Sequence, residues 1–167
     1  FGSDVSISGD FAIVGVPDSD DNGSSSGSAY IFGRDAQDAE GTWQQLVKFT
    51  GPTSSDDFGE SVSISGNYAI VGAQDADGAV NQSGTATIIE KDEGGNWNIV
   101  TVLTASDAGA DDFGYDVDIS GNYAIVGAKY WDGGGRSNNG CAYIFERQPN
   151  GTWVETAQLV DPTPLSS

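Results

Sequence analysis

Carboxylates carry most of the chemistry this chain offers. Asp18-Ser19-Asp20-Asp21-Asn22-Gly23 sets oxygens at alternate positions ahead of a glycine. That pattern opens a calcium loop, in which the glycine permits a sharp turn. The closing Glu of such a loop is missing. Asp75-Ala76-Asp77-Gly78 keeps a shorter version, and a third copy retains only Asp132 amid glycines. The competing reading is a solvated acidic turn, since Asp, Asn and Gly are the ordinary residues of turns. Further acids, Asp56-Asp57 and Asp107 with Asp111-Asp112, stand between the recurring segments. Asp56 or Asp57 would complete a cation site begun by Asp18 and Asp20 if their loops share a face.

Aromatic and nucleophilic candidates are few. Tyr130 and Trp131 lie beside Lys129 and Asp132, where the sister segments carry polar residues. Exposed aromatics stack on sugar rings or anchor a protein partner, and equally often pack over a sheet edge. The chain has no histidine, which removes the commonest general base and transition-metal ligand. Cys141 therefore has no imidazole to activate it and reads as a small buried strand residue. No two of the 25 acids stand out as a glycosidase pair. Three sequons, at Asn22, Asn81 and Asn150, fall in expected loops where a glycan fits.

Composition narrows the classes. Six Lys plus Arg against 25 Asp plus Glu leave a net charge of −19 over 167 residues. That balance excludes a nucleic-acid surface, which needs clustered cations, and disfavours an anionic membrane. No apolar run approaches the roughly 18 residues of a membrane span, and no signal peptide is present. The chain starts at Phe1 and lacks Met, which suggests a processed product, a fragment or a window of something longer. Glycine-rich, aromatic-bearing and acidic is the profile of a secreted all-β protein.

An internal repeat supplies the elements that must position these residues. FGSDVSISGDFAIVG from Phe1 recurs as FGESVSISGNYAIVG from Phe58 and FGYDVDISGNYAIVG from Phe113. The chain thus divides into units 1–57, 58–112 and 113–167. Each unit predicts four strands. The first alternates apolar and polar residues, as in Val5-Ser6-Ile7-Ser8. A Gly-Asp or Gly-Asn hairpin turn follows. The second strand, Phe11-Ala12-Ile13-Val14 in the first unit, is apolar throughout, which predicts cover on both faces. The third strand is Ala29 to Phe32 and its counterparts. In the fourth, Trp97, Val100 and Leu103 recur three apart, as do Trp153, Thr156 and Leu159. This reads as an outer strand with a bulge, a short helix being the alternative.

Four-stranded units of this size are blades of a β-propeller. Blades bury their aliphatics against one another, which places Ile13, Ile70 and Ile125 in the seams near Val14, Val71 and Val126. Known propellers close with about four to eight blades. Three blades leave apolar end faces, which soluble monomers avoid, so further blades are expected from missing sequence or a second chain. Loops joining the second and third strands should emerge on the same propeller face as the links between blades, concentrating carboxylates there.

Phe-Gly at the head of each unit, followed by an apolar strand ending Val-Gly-Val-Pro at 14–17 or Val-Gly-Ala at 71–73 and 126–128, resembles the FG-GAP repeat. That family includes the propeller of integrin α subunits and many secreted bacterial and algal proteins. The resemblance covers all three units and implies extracellular adhesion or ligand recognition, often with calcium. In integrin-like repeats, calcium sits in a carboxylate-rich loop between the first and second strands. Here that loop shrinks to Ser8-Gly9-Asp10, Ser65-Gly66-Asn67 and Ser120-Gly121-Asn122, too short to wrap a cation that takes about six to eight oxygens. The family's calcium site is therefore not carried over. The expectation is a non-enzymatic, extracellular propeller segment for adhesion, ligand recognition or assembly, with a protein or glycan partner and calcium as its one candidate cofactor. The alternatives are a glycan-binding or glycan-processing propeller, and a structural subunit completed by self-association.

Overall fold

A computed structural model describes residues 1–35, 41–78, 82–107, 112–132 and 138–162. They form three four-stranded antiparallel sheets, each a simple meander. The first holds β1 (Val5–Ser8), β2 (Phe11–Val16), β3 (Ser28–Arg34) and β4 (Trp43–Thr50). The second holds β5 (Val62–Ser65), β6 (Tyr68–Ala73), β7 (Thr85–Lys91) and β8 (Trp97–Leu103). The third holds β9 (Phe113–Ser120), β10 (Tyr123–Ala128), β11 (Cys141–Arg147) and β12 (Trp153–Val160). Each sheet is a propeller blade, and no described residue is helical.

Local chemistry explains the strands. Gly9, Gly66 and Gly121 turn the β1–β2, β5–β6 and β9–β10 hairpins with φ of 57°, 59° and 58°. The next residue of each turn stays out of the left-handed region, so the turns fit type II′ rather than I′. All three outer strands carry a bulge at one position, between Ile31/Phe32, Ile88/Ile89 and Ile144/Phe145 of the partner strand. The unpaired residues are Leu46, Val100 and Thr156. The three-residue spacing in the tryptophan strand is therefore a strand with an extra residue, not a helical stripe.

Burial shows how the blades stack. β6, in the middle blade, is buried on both faces from Ala69 to Ala73, the double cover that an apolar run implies. In the outer blades the equivalent strands are covered on one face only. Ile13 and Ile70 are fully buried in the seams, whereas Ile125, their counterpart, is 37% exposed. At the other end Val5 and Ile7 are 63% and 67% exposed, while Val62, Ile64, Val117 and Ile119 are buried. Two core clusters result, one per seam. Ile13, Ile31, Val62 and Ile64 meet in the first, and Ile70, Ile88, Val117 and Ile119 in the second. The arc does not close, and both ends are apolar.

A ladder of side chains to backbone stitches the innermost strands together. The edge amides of Val62, Ile64 and Gly66 donate to Asp4 Oδ2, Ser6 Oγ and Ser8 Oγ at 2.7, 3.2 and 3.1 Å. One blade on, Val117, Ile119 and Gly121 donate to the Oγ atoms of Ser61, Ser63 and Ser65 at 3.1, 3.3 and 3.2 Å. The polar half of the alternating first strand is thus not simply a wet face. It pairs the edge donors of the seams, of which the Val117 and Ile119 amides are buried and would cost free energy if left unpaired.

Candidate functional site

The loop after β2 and the linker after β4 lie together, as strand alternation requires. Ser55 N donates to Ser24 O at 2.8 Å, and Asn22 Nδ2 donates to Thr50 Oγ1 and Gly51 O at 3.1 and 2.8 Å. Within this face the acidic candidates separate by what they touch. Asp20 Oδ1 accepts from Ser25 N at 2.9 Å, and Asp77 Oδ1 accepts from Gln82 N at 3.0 Å. Asp132 Oδ1 accepts from Asn138 N at 2.6 Å in the third blade. Ser25, Gln82 and Asn138 all have left-handed φ, 49°, 54° and 53°, a conformation unfavourable for L residues other than Gly, Asn and Asp. The three acids therefore perform one repeated task, holding the loop at its strained corner. Asp56 is also occupied. It is buried and accepts from Thr53 N and Thr53 Oγ1 at 2.6 and 2.8 Å.

Asp21 anchors the same loop. It accepts from Lys48 Nζ at 2.6 Å, from Ser28 Oγ at 2.8 Å and from Ser19 Oγ. The Lys48 ammonium, and then the two hydroxyls, hold its carboxyl far below the ordinary carboxylate range.

Asp18, Asp57 and Asp75 make a different group. Partial burial, a hydrogen bond shared with Asp75 and the charges of Asp75, Glu60 and Asp18 push Asp57 up to about 6. Burial and the Asp75 charge raise Asp112 as well, opposed by Lys129. Asp57 and Asp112 are equivalent, each left-handed at φ 52° and 51° just before the Phe-Gly pair. Among the described residues, no three Asp, Glu, His or Cys side chains converge to hold a metal ion. The arrangement instead favours the protonated form of the Asp57 carboxyl, because burial and the nearby Asp75 charge disfavour its ionisation.

The aromatic candidates also part company. Trp131 packs against the second seam core and donates Nε1–H to Asp107 Oδ2 at 2.6 Å. Tyr143 Oη also donates to Asp107, and Gln158 Nε2 donates to it at 2.9 Å. Burial alone would raise the Asp107 carboxyl, but these three donors outweigh it and hold the group below its usual value. Burial and the Asp107 carboxylate drive the Tyr143 phenol far above its ordinary value. Tyr130 stays exposed, with Lys129 Nζ 5.0 Å from its ring centre. Cys141 opens β11, and its Sγ accepts from Gln158 Nε2 at 3.6 Å.

The sequons differ in the same way. Asn22 uses the amide nitrogen that a glycan needs, whereas Asn150 is exposed and engages only its carbonyl oxygen, accepting from Thr152 N and Oγ1. Asn81 lies outside the described residues.

One feature escaped sequence reasoning: a pocket of about 460 Å³ on the first seam. Phe58, Ala76, Ile99 and Val102 give it apolar walls, and Thr53 and Thr87 add hydroxyls. It exists because Thr87 stands where the sister blades have Tyr30 and Tyr143, as the strand registers show. Tyr143 fills the corresponding volume in the second seam, against Phe113 with ring centres 5.4 Å apart. The departure of Thr87 from the repeat was the available signal.

The family model of the FG-GAP repeat matches residues 1–32, 43–89 and 97–145. No curated protein matches the chain. The second match runs from β4 through β7, and the third from β8 through β11. The family unit thus combines the outer strand of one blade with three strands of the next, and bridges each seam. With these matches spanning most of its length, the chain belongs to the FG-GAP repeat family.

Proposed function

We propose that this chain is a non-catalytic recognition module of an extracellular propeller, and that it binds a protein partner on the face bearing the β2–β3 loops and the blade linkers. The observation that supports this most is the seam pocket opened by Thr87. It pairs apolar walls with hydroxyls on a rigid blade scaffold, the setting in which an apolar side chain anchors a protein interface. A glycan reading needs an exposed aromatic platform, and Trp131 is committed to Asp107 and the second core. The reading needs no cation, because Asp20, Asp56 and Asp77 already accept from loop donors. FG-GAP propeller repeats are generally non-catalytic, and the absence of histidine fits that.

Thr87→Tyr installs the residue that both sister blades tolerate and fills the pocket. Peptides selected by display on the wild-type chain should carry an apolar anchor and bind Thr87→Tyr at least about tenfold more weakly. Binders indifferent to that substitution, or sugars captured on a glycan array through Tyr130, would remove this reading.

A further inference from the structure

Two further departures from the repeat accompany Thr87 at the seam pocket. Across the β7–β8 ladder Thr87 pairs with Val102, where Tyr30 pairs with Lys48 and Tyr143 with Gln158. Ile99 stands where the sister blades have Gln45 and Glu155. Ile99 and Val102 are 51% and 53% exposed, and they wall the pocket together with Phe58. All three departures lie in the middle blade, which has a seam core on either side. Aliphatics gathered in the open beside a pocket are the mark of a binding site.

The third blade shows the same place filled. The Tyr143 ring lies against Phe113, and its hydroxyl donates to Asp107 and accepts from Gln158 Nε2 at 3.1 Å. Glu155 ties the outer strand to the linker, accepting from Ser106 N and Oγ at 3.2 and 2.8 Å. Counted from the tryptophan that opens each outer strand, Pro52 and Thr53 take the places of Ser106 and Asp107. The middle blade thus keeps the aromatic seat, Phe58, and lacks both the ring and its polar latch.

An acceptor is kept as well. Asp56 is buried in the pocket wall, and among the described residues its donors are Thr53 N and Oγ1. A carboxylate offers about four lone-pair sites, so Asp56 has room for a third donor. Asp107 takes three, from Tyr143, Trp131 and Gln158.

We infer that the anchor entering this pocket is a tyrosine of the partner protein, its ring seated on Phe58 and its phenol donating to the Asp56 carboxylate, an assignment that rests on reading the pocket as a protein-binding site. Phenylalanine or leucine would cover the apolar walls and bring the buried carboxylate no donor. The phenol brings a charge-assisted one, the stronger kind of hydrogen bond. Around that tyrosine the partner is basic. Asp77 is exposed on the pocket wall and the chain carries a net charge of −19, so neighbouring lysines are attracted and acids repelled.

NMR of the Ile99 and Val102 methyl groups in the 167-residue chain tests this. The titrants are the capped peptide Lys-Gly-Tyr-Gly-Lys, its Phe and Leu versions, and Glu-Gly-Tyr-Gly-Glu. The first should shift both sets of methyls and bind at least about tenfold more tightly than the Phe and Leu versions. The Glu-flanked peptide should bind more weakly than the first. Thr87→Tyr should abolish the binding, and Asp56→Asn should shrink the Tyr-over-Phe ratio, which a general loosening of the pocket would leave in place. Phe or Leu versions that bind as tightly as the Tyr peptide overturn the inference and leave an apolar docking site standing. So does a Tyr preference that Asp56→Asn preserves; if that variant does not fold, the wild-type comparison alone decides. Equal binding of the Glu-flanked peptide overturns the basic character of the segment. Methyls unmoved by all four peptides at about 10 mM, tenfold above a millimolar Kd, remove the protein-binding reading of the pocket as well.

Discussion

At the residue scale, the chain shows how one vocabulary of acids serves three ends. Asp20, Asp77 and Asp132 brace left-handed corners, Asp21 pins a lysine, and Asp57 sits half-buried beside Asp75 with its carboxyl raised. The Asp57 carboxyl is raised above its ordinary value of 3.8 to about 6. Its protonated form therefore adds stability in full below the ordinary value, and that contribution fades as pH rises through about 6. Asp57→Asn keeps a residue that tolerates φ of 52° and removes the titration. Its melting temperature should exceed that of the wild type near about pH 8 and equal it near about pH 4. A wild type less stable at acid pH than the variant would refute the raised Asp57 carboxyl. The sequons offer a second check. Secretion from a glycosylating host should modify Asn150 and leave Asn22 bare, read by peptide mass mapping, because only Asn22 spends its amide nitrogen on Thr50 and Gly51.

The element scale decides what the sequence could and could not disclose. Strand number, hairpin glycines and the bulged outer strand were all legible, because each leaves a periodic signature in the repeated unit. The tasks of the loop acids were not, since Asp-x-Asp-x-Asn-Gly suits a cation loop and a self-capped turn equally. Nor was the amide ladder. Ser6, Ser63 and Asp118 read as the wet side of an alternating strand, and only the approach of a neighbouring edge makes Ser6 and Ser63 acceptors. Trp131 was equally open to display and to packing over a sheet edge, and only the fold brings it to Asp107 and the second core. Ser61→Ala should therefore cost about 1–3 kcal/mol in denaturant unfolding, the penalty for leaving the buried Val117 amide unsatisfied. Gly72→Ala should cost at least as much, because its methyl would run into the Gly114 carbonyl. A fully stable Gly72→Ala protein would mean that the seam is looser than described.

For the whole molecule, the central claim is that each blade hides its apolar faces against a neighbouring blade, as the two seam cores do. Amide hydrogen exchange tests the claim most directly. Val62, Ile64, Val117 and Ile119 should exchange slowly, held by the ladder. Ile7, 67% exposed on a first strand that receives no ladder from another described blade, should exchange faster than they do. Exchange at Val62, Ile64, Val117 and Ile119 as fast as at Ile7 would contradict it.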